Sequence, residues 1–370
     1  MLAVESRYRR IAVQTPLVSV LIPAYNAARF IAAAVRSAQA QTLRDIEIIV
    51  VDDGSQDATA AIVAELAGTD PRIRLLRQRN MGVSAARNRG LKAVRAPYIA
   101  PLDADDLWRH DKLERQLVAA NAPEVGLVYT WSTHVDEDSR VIPGRATGAT
   151  HEGWVYPHLL MANFVGSGSV PLMRREAVLA AGGWNEDMRG NEDQFLYLRI
   201  AEKWRFAVVR DVLVGYRQRA GSLSRNRAMM LRCHEAMLED ARSRHPELPE
   251  WIFRWARANY AWYLAFQAGR AGVRTEALSH VARMLTNDPL FVLRPAVRDG
   301  VKAGVRTLVR RALARPKDRE TPARVDFHSL APHLAGQVGN TRGPVEVWRD
   351  RQVGRLRIGL RSTQGRRLRA

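Results

Sequence analysis

The stretch IEIIVVDDGSQD, Ile46 to Asp57, decides how this chain is read. Its first part, Ile46 to Asp52, is a continuous run rich in Ile and Val, the pattern of a strand covered on both faces. The run breaks off into two carboxylates and a glycine, which is turn chemistry, and a helical pattern follows near 57–67. Working outward, the same unit recurs. LVSVLIP (17–23) leads into a helical pattern ending about Ala40, IRLLRQ (73–78) into a helix near 83–94, and YIAPLD (98–103) into a helix near 110–120. VGLVYTW (125–131) closes the series ahead of a polar loop. Short apolar strands alternating with helices predict an α/β fold with a mostly parallel, Rossmann-like sheet flanked by helices. In such sheets ligands sit beyond the carboxyl ends of the strands.

Composition narrows the class. A chain of 370 residues that is 46% hydrophobic can build a substantial core. The single cysteine, Cys233, cannot form an internal disulfide, so a reducing, cytoplasmic setting is expected. No signal-peptide pattern is read at the N-terminus. The longest uncharged run, 153–173, contains Pro157, His158 and Asn163, so no transmembrane span is expected. Net charge is +19, but residues 1–227 hold 30 Lys/Arg against 25 Asp/Glu while residues 291–370 hold 19 against 6. The basic excess thus belongs to the C-terminal fifth and points there to an anionic partner, such as a membrane surface. That tail lacks interleaved aromatics beyond Phe327 and Trp348, and no nucleic acid is expected as a partner.

From about Arg225 the pattern becomes helical. WIFRWARANYAWYLAFQAG (251–269) and RTEALSHVARMLTNDP (274–289) read as a helical hairpin, its tryptophans as packing residues. In 291–315, Val297, Val301, Val305, Val309 and Leu313 recur every four residues beside a stripe of Arg294, Arg298, Lys302, Arg306 and Arg310. This predicts a basic amphipathic helix, either a membrane-surface anchor or a helix packed on the hairpin. The expected division is 1–225 catalytic, 226–290 helical hairpin, and 291–370 basic helix followed by a largely mobile basic tail.

The strand ends carry the chemistry. They exit into PAYN (23–26), VDDGSQD (51–57), NMGVSAARNRG (80–90) and LDADD (102–106), and these four converge on one rim. Together with GGWNEDMRGNEDQFLYLRIA (182–201), their order closely resembles the family 2 inverting glycosyltransferases of GT-A fold. The resemblance covers roughly residues 17–225. It implies a nucleotide-sugar donor, with a UDP-sugar favoured, and a glycan or lipid-linked acceptor. It implies further that Asp103-Ala104-Asp105 is the family's D-x-D, with Asp103 near the ribose or sugar and Asp105 the ligand of Mn²⁺ or Mg²⁺. A hard cation of this kind takes one or two carboxylates and leaves positions for phosphate and water. Asp106 is a neighbour less certain to coordinate.

Carried over in the same way, Pro23, Ala24, Tyr25 and Asn26 line the nucleotide pocket, with Tyr25 near the base. Asp53 or Asp52 binds the base edge or ribose, and Arg87 faces the diphosphate or braces the carboxylates. Inversion in one displacement needs a base opposite the leaving group. The family places it in an E-D pair, here Glu192-Asp193, with Asp193 as base and Glu192 in support. Trp184 is expected as an acceptor-side platform. YRQRAGSLS (216–224) resembles a segment that often carries a His where this chain has Arg219. Arg217 or Arg219 then becomes the candidate contact to the diphosphate.

Plainer readings exist for these residues. Asp103 and Asp105 would also suit a polar turn ahead of a helix, and Glu192-Asp193 the acidic first turn of one. The absence of a Q-x-x-R-W segment after the E-D pair argues against a processive synthase with its own channel. The expected function is inverting, non-processive sugar transfer in polysaccharide or glycoconjugate synthesis, in the cytoplasm or peripherally on the cytosolic membrane face. The competing class is a non-catalytic glycosyltransferase-like protein that binds a nucleotide sugar or a nucleic acid.

Overall fold

The computed structural model describes residues 15–146, 148–219, 226–293 and 326–329. Strands β1 (Val18–Ala24), β2 (Ile46–Asp52), β3 (Ile73–Arg77) and β4 (Tyr98–Pro101) pair in parallel in the order β3-β2-β1-β4. Every residue of β1 and β2 is buried, as their mostly apolar runs demand, with Ser19 hydrogen-bonded to the buried Glu47. Helices α1 (Ile31–Gln39), α2 (Thr59–Thr69) and α3 (Val83–Ala93) make the crossovers. Ala24, Asp52 and Arg77 lie in register, which brings three strand ends to one edge. Leu102 N–H bonds to Leu21 O at 2.9 Å, so the segment after β4 arrives at the same edge.

Beyond β4 the sheet is mixed. The three-residue β8 (Leu172–Arg174) pairs antiparallel with both β4 and β6 (Val125–Val135), and β6 then pairs in parallel with β9 (Arg205–Arg217). The two-residue β5 (Leu107–Trp108) pairs antiparallel with β9, and β7 (Val141–Ala146) pairs antiparallel with β6. The mostly parallel expectation therefore describes β1 to β4, and the remainder departs from it. Strands of two or three residues such as β5 and β8 carry no periodic signal. Helices α4 (Lys112–Ala119), α5 (Tyr156–Met161), α6 (Arg175–Ala180) and α7 (Glu192–Ala201) complete the described N-terminal region.

The C-terminal helices are α8 (Arg227–Arg244), α9 (Glu250–Arg270) and α10 (Arg274–Asn287), the last two being the predicted hairpin. Helices α8 and α9 share the core of the sheet, and α10 packs on α9. Met237, Leu238, Ala241, Ile252, Phe253 and Trp255 belong to the same buried cluster as the β1 and β2 side chains. Residues 326–329 also dock. Phe327 is fully buried against Leu107 and Val135, and Asp326 forms a bridge with Arg140. The predicted basic helix falls almost wholly outside the described residues.

Candidate active site

The strand ends open into a cleft of about 700 Å³ whose walls include Tyr25, Asp53, Arg87, Asp103, Asp105, Glu192, Asp193 and Arg219. Its size suits a small-molecule ligand. Pro23, Ala24 and Asn26 also line it, and Tyr25 is 46% exposed, a ring free to face a ligand. The short loop after β1 is held in place from β2. Asn26 Oδ1 accepts from Gln56 N–H at 2.8 Å, and its own N–H donates to Ser55 Oγ at 3.0 Å.

The two aspartates at the end of β2 part company. Asp53 reaches the cleft and accepts from Gln78 Nε2 and from the N–H groups of Met81 and Gly82, at 2.7 to 2.9 Å, ahead of α3. Asp52 is buried away from the cleft, where it accepts from Ser55 N–H and pairs with Arg77 at 3.2 Å. As an alternative nucleotide contact Asp52 is corrected: it fastens the turn.

Arg87 is the centre of the site. It projects from α3, is 2% exposed, and touches three carboxylates: Asp103 at 2.7 Å, Asp193 at 3.0 Å and Glu192 at 3.1 Å. Burial opposes its charge, but Asp193, Asp103 and Glu192 outweigh burial and raise its pKa. Its contacts are to the carboxylates, and it also lines the cleft. With one cation shared among three anions, Asp193 remains under-compensated. Burial pushes its carboxyl up to about 7, Arg87 working against the shift and Glu192 and Asp103 adding to it.

Trp184 is 2% exposed, and its Nε1–H donates to Asp193 Oδ1 at 3.1 Å. It does not line the cleft, so the acceptor-platform expectation is corrected: the indole orients the candidate base from behind. Its backbone is held on both sides by Asn88, whose Nδ2 donates to Trp184 O at 2.7 Å and whose Oδ1 accepts from Trp184 N–H at 2.9 Å.

The D-A-D-D segment divides its labour. Asp106 is fully buried and accepts from Ser169 Oγ and from Arg217 N–H. Burial and the neighbouring Asp105 and Asp103 raise it well above the usual carboxyl range, and it is scaffold. Asp105 lines the cleft and pairs with Arg219. Burial and Asp103 raise its pKa even against that guanidinium. Arg217 is 3% exposed, and its guanidinium is committed to the carbonyls of Asp105, Asp136 and Glu137 and to Ser139 Oγ. As a diphosphate contact it is corrected, because its donors already hold the polar loop together. Arg219, 37% exposed, keeps that capacity.

The carboxylates suit a hard divalent cation. Asp103 and Asp105 present oxygen ligands on the cleft. Among the described residues no group of three or more His, Cys, Asp or Glu is placed to hold a metal alone.

Sequence reasoning missed the loop Gly166-Ser167-Gly168-Ser169. Ser169 Oγ accepts from Asp103 N–H at 2.9 Å and donates to Asp106 Oδ2 at 2.6 Å, tying the D-A-D-D segment together. Gly168 presses on the core of the site: a Cβ there would lie 2.5 Å from Arg87 Nη2 and 2.9 Å from Asp193 Oδ2. The available signal was the alternation of Gly and Ser in VGSGSV (165–170), which marks close backbone approach.

Comparison with known proteins agrees with this geometry. Residues 19–178 match the model for glycosyl transferase family 2. Chondroitin synthase of Escherichia coli is 30% identical over 191 residues, 51% of this chain and 27% of that protein, so the chain spans about a quarter of that relative. The mannosyltransferase PcManGT from Pyrobaculum calidifontis, solved with GDP-Man and Mn²⁺, aligns with a TM-score of 0.53 at 20% identity, covering 82% of this chain and 88% of that one. TarS 1–349 of S. aureus with UDP-GlcNAc aligns with a TM-score of 0.50 at 15% identity, covering 74% and 91%. These two likenesses concern the fold, which is of GT-A type. The ordered motifs gather on one cleft, and the strands that build it lie within residues 19–178, the part of the chain that is similar to glycosyl transferase family 2.

Proposed function

We propose that this protein is an inverting, non-processive glycosyltransferase. It moves a sugar from a nucleotide-sugar donor, a UDP-sugar before others, to a glycan or lipid-linked acceptor in polysaccharide or glycoconjugate synthesis. The observation that carries the reading is the placing of Asp103 and Asp105 on the same cleft as Asp193, with Arg87 bridging Asp103 to Asp193. The relation to chondroitin synthase supports polymer chemistry, and the UDP-GlcNAc and GDP-Man ligands of the structural neighbours support a nucleotide-sugar donor.

In this reading Tyr25 and Asp53 receive the nucleoside, and Asp103 meets the ribose or sugar. Asp105 would hold Mn²⁺ or Mg²⁺, which when bound supplies Lewis-acid stabilisation of the leaving diphosphate. Arg219 adds a charge-assisted contact to the same phosphates. Asp193 takes the proton of the acceptor hydroxyl as that oxygen attacks the anomeric carbon. The bond from that carbon to the diphosphate oxygen breaks, and the nucleoside diphosphate leaves with the electron pair. A carboxyl near 7 suits this work, because it is basic enough to accept the proton while a substantial fraction stays ionised at neutral pH. Glu192 keeps Arg87 in place beneath it.

Location is part of the proposal: the cytoplasm, with the basic C-terminal segment reaching an anionic membrane face. Among the described residues no helix is long and apolar enough to cross a membrane. The test is transfer from a panel of nucleotide sugars to oligosaccharide and polyprenyl-phosphate-linked acceptors, with the anomeric configuration of the product read by NMR. Retained configuration, or no transfer with any donor, sinks the reading.

A further inference from the structure

The residue before the candidate base pair is gripped by helices outside the motifs that define the cleft. Asn191 adopts a left-handed backbone (φ 57°, ψ 15°), a conformation that asparagine tolerates better than other residues with side chains, and Glu192 and Asp193 follow it directly. Both ends of its amide are used. Nδ2 donates to Met230 O of α8 at 3.0 Å, and Oδ1 accepts from the Tyr260 hydroxyl of α9 at 3.0 Å. The same hydroxyl lies 3.3 Å from Met230 O, closing a three-membered network. Behind it the Tyr260 ring stacks on buried His234 of α8, with centroids 3.9 Å apart and planes 6° apart. Gly190 fits because it lacks a side chain: a Cβ would lie 2.6 Å from Met230 Sδ. Arg189, Gly190, Asn191 and Met230 all line the cleft beside Glu192 and Asp193.

We infer that α8 and α9 are part of the catalytic apparatus: Tyr260 is a positioning residue that clamps Asn191 to set Asp193, and Met230 is a wall of the acceptor subsite. This inference rests on the proposed transferase reading. The physical ground is that the Asn191 amide, held at one end by α8 and at the other by α9, fixes the backbone from which Glu192 and Asp193 begin α7. A general base works only when held within hydrogen-bond reach of its proton, so loosening the clamp costs turnover rather than donor binding. Tyr25 and Asp53, which receive the nucleoside in this reading, come from the ends of β1 and β2.

The test uses the full chain with a donor and acceptor pair that wild type turns over. Tyr260→Phe keeps the stacked ring and loses the hydroxyl. Asn191→Gly keeps the left-handed backbone and loses both side-chain bonds. Each is expected to lower kcat about tenfold per folded molecule with donor KM unchanged. Met230→Ala is expected to raise acceptor KM and leave donor KM alone. Asn191→Gln, which keeps an amide but misplaces it, is expected not to restore kcat. Unchanged kcat in both Tyr260→Phe and Asn191→Gly, with wild type active, overturns the clamp alone. Absence of transfer by wild type overturns the underlying reading and the clamp with it.

Discussion

Arg87 Nη1 stands 3.0 Å from Asp193 Oδ1, and the same guanidinium reaches Asp103 through Nη2 at 2.7 Å. One buried cation therefore connects the segment after β4 to the head of α7, 90 residues further along the chain. A single side chain positions Asp103 and Asp193 against each other, the two residues that the proposed function gives to donor and acceptor.

Asp193 sets the pH response. Its carboxyl, pushed by burial to about 7, must be ionised to accept a proton. Below that pH it is protonated and inactive, so kcat/KM is expected to rise tenfold per pH unit on the acid side and level off above about 7. Asp193→Asn removes the proton acceptor and should lower kcat by about 100-fold or more, with donor affinity kept. A pH–rate profile and donor titration check both.

Trp184→Phe should move that profile. The indole N–H bonds to the ionised form of Asp193 and holds its pKa down, so its loss lets burial push the carboxyl higher. A hydrogen bond to a charged group is worth about 1.5 kcal/mol, which places the acid limb about one pH unit higher. An unmoved limb would show that the indole serves packing only.

Gly168→Ala should damage stability and turnover together. The new methyl would sit 2.5 Å from Arg87 Nη2, and Arg87 cannot yield without leaving Asp103, Glu192 or Asp193. A cost of about 1–3 kcal/mol is expected from overpacking, with kcat falling at unchanged protein fold. Urea unfolding and steady-state kinetics measure the two effects.

Asp105 and Arg219 should respond oppositely to divalent metal. Chelation is expected to stop transfer and Mn²⁺ to restore it, while Asp105→Asn stays low by about 100-fold at any Mn²⁺ concentration. Arg219→Ala removes the cation that occupies Asp105, so half-saturation by Mn²⁺ should fall while donor KM rises. Titration of Mn²⁺ against activity and against electron paramagnetic resonance separates these effects.

Phe327→Ala should cost about 3–5 kcal/mol in urea unfolding. The ring is fully buried and packs on Leu107, next to Asp106, and on Gly215, two residues before Arg217. The loss should appear as lowered stability with motif residues intact.

The parallel half of the sheet and most of the cleft were legible along the chain. β1, β2 and β4 announce themselves because a strand covered on both faces is mostly apolar, while β3, at the sheet edge, and α1 to α3 are legible from their place in the alternation of strand and helix. The strand-end residues Tyr25, Asp53, Asp103 and Asp105 follow from where such a sheet must end. The rest depended on contacts between distant segments. Whether Asp52 or Asp53 faces the cleft, whether Trp184 is a platform or a brace, and whether Arg217 is free for phosphate turn on which way each side chain points. At strand ends and loops no periodicity fixes that direction. Ser169, Gly168 and Tyr260 carry no motif of their own, because a backbone pressed against Arg87 or a hydroxyl aimed at Asn191 exists only after the chain has packed. Sequence by itself determined the fold type and the rim of carboxylates. Only the tertiary structure decided which of them are free to act, since burial and the sharing of Arg87 set the charge on each.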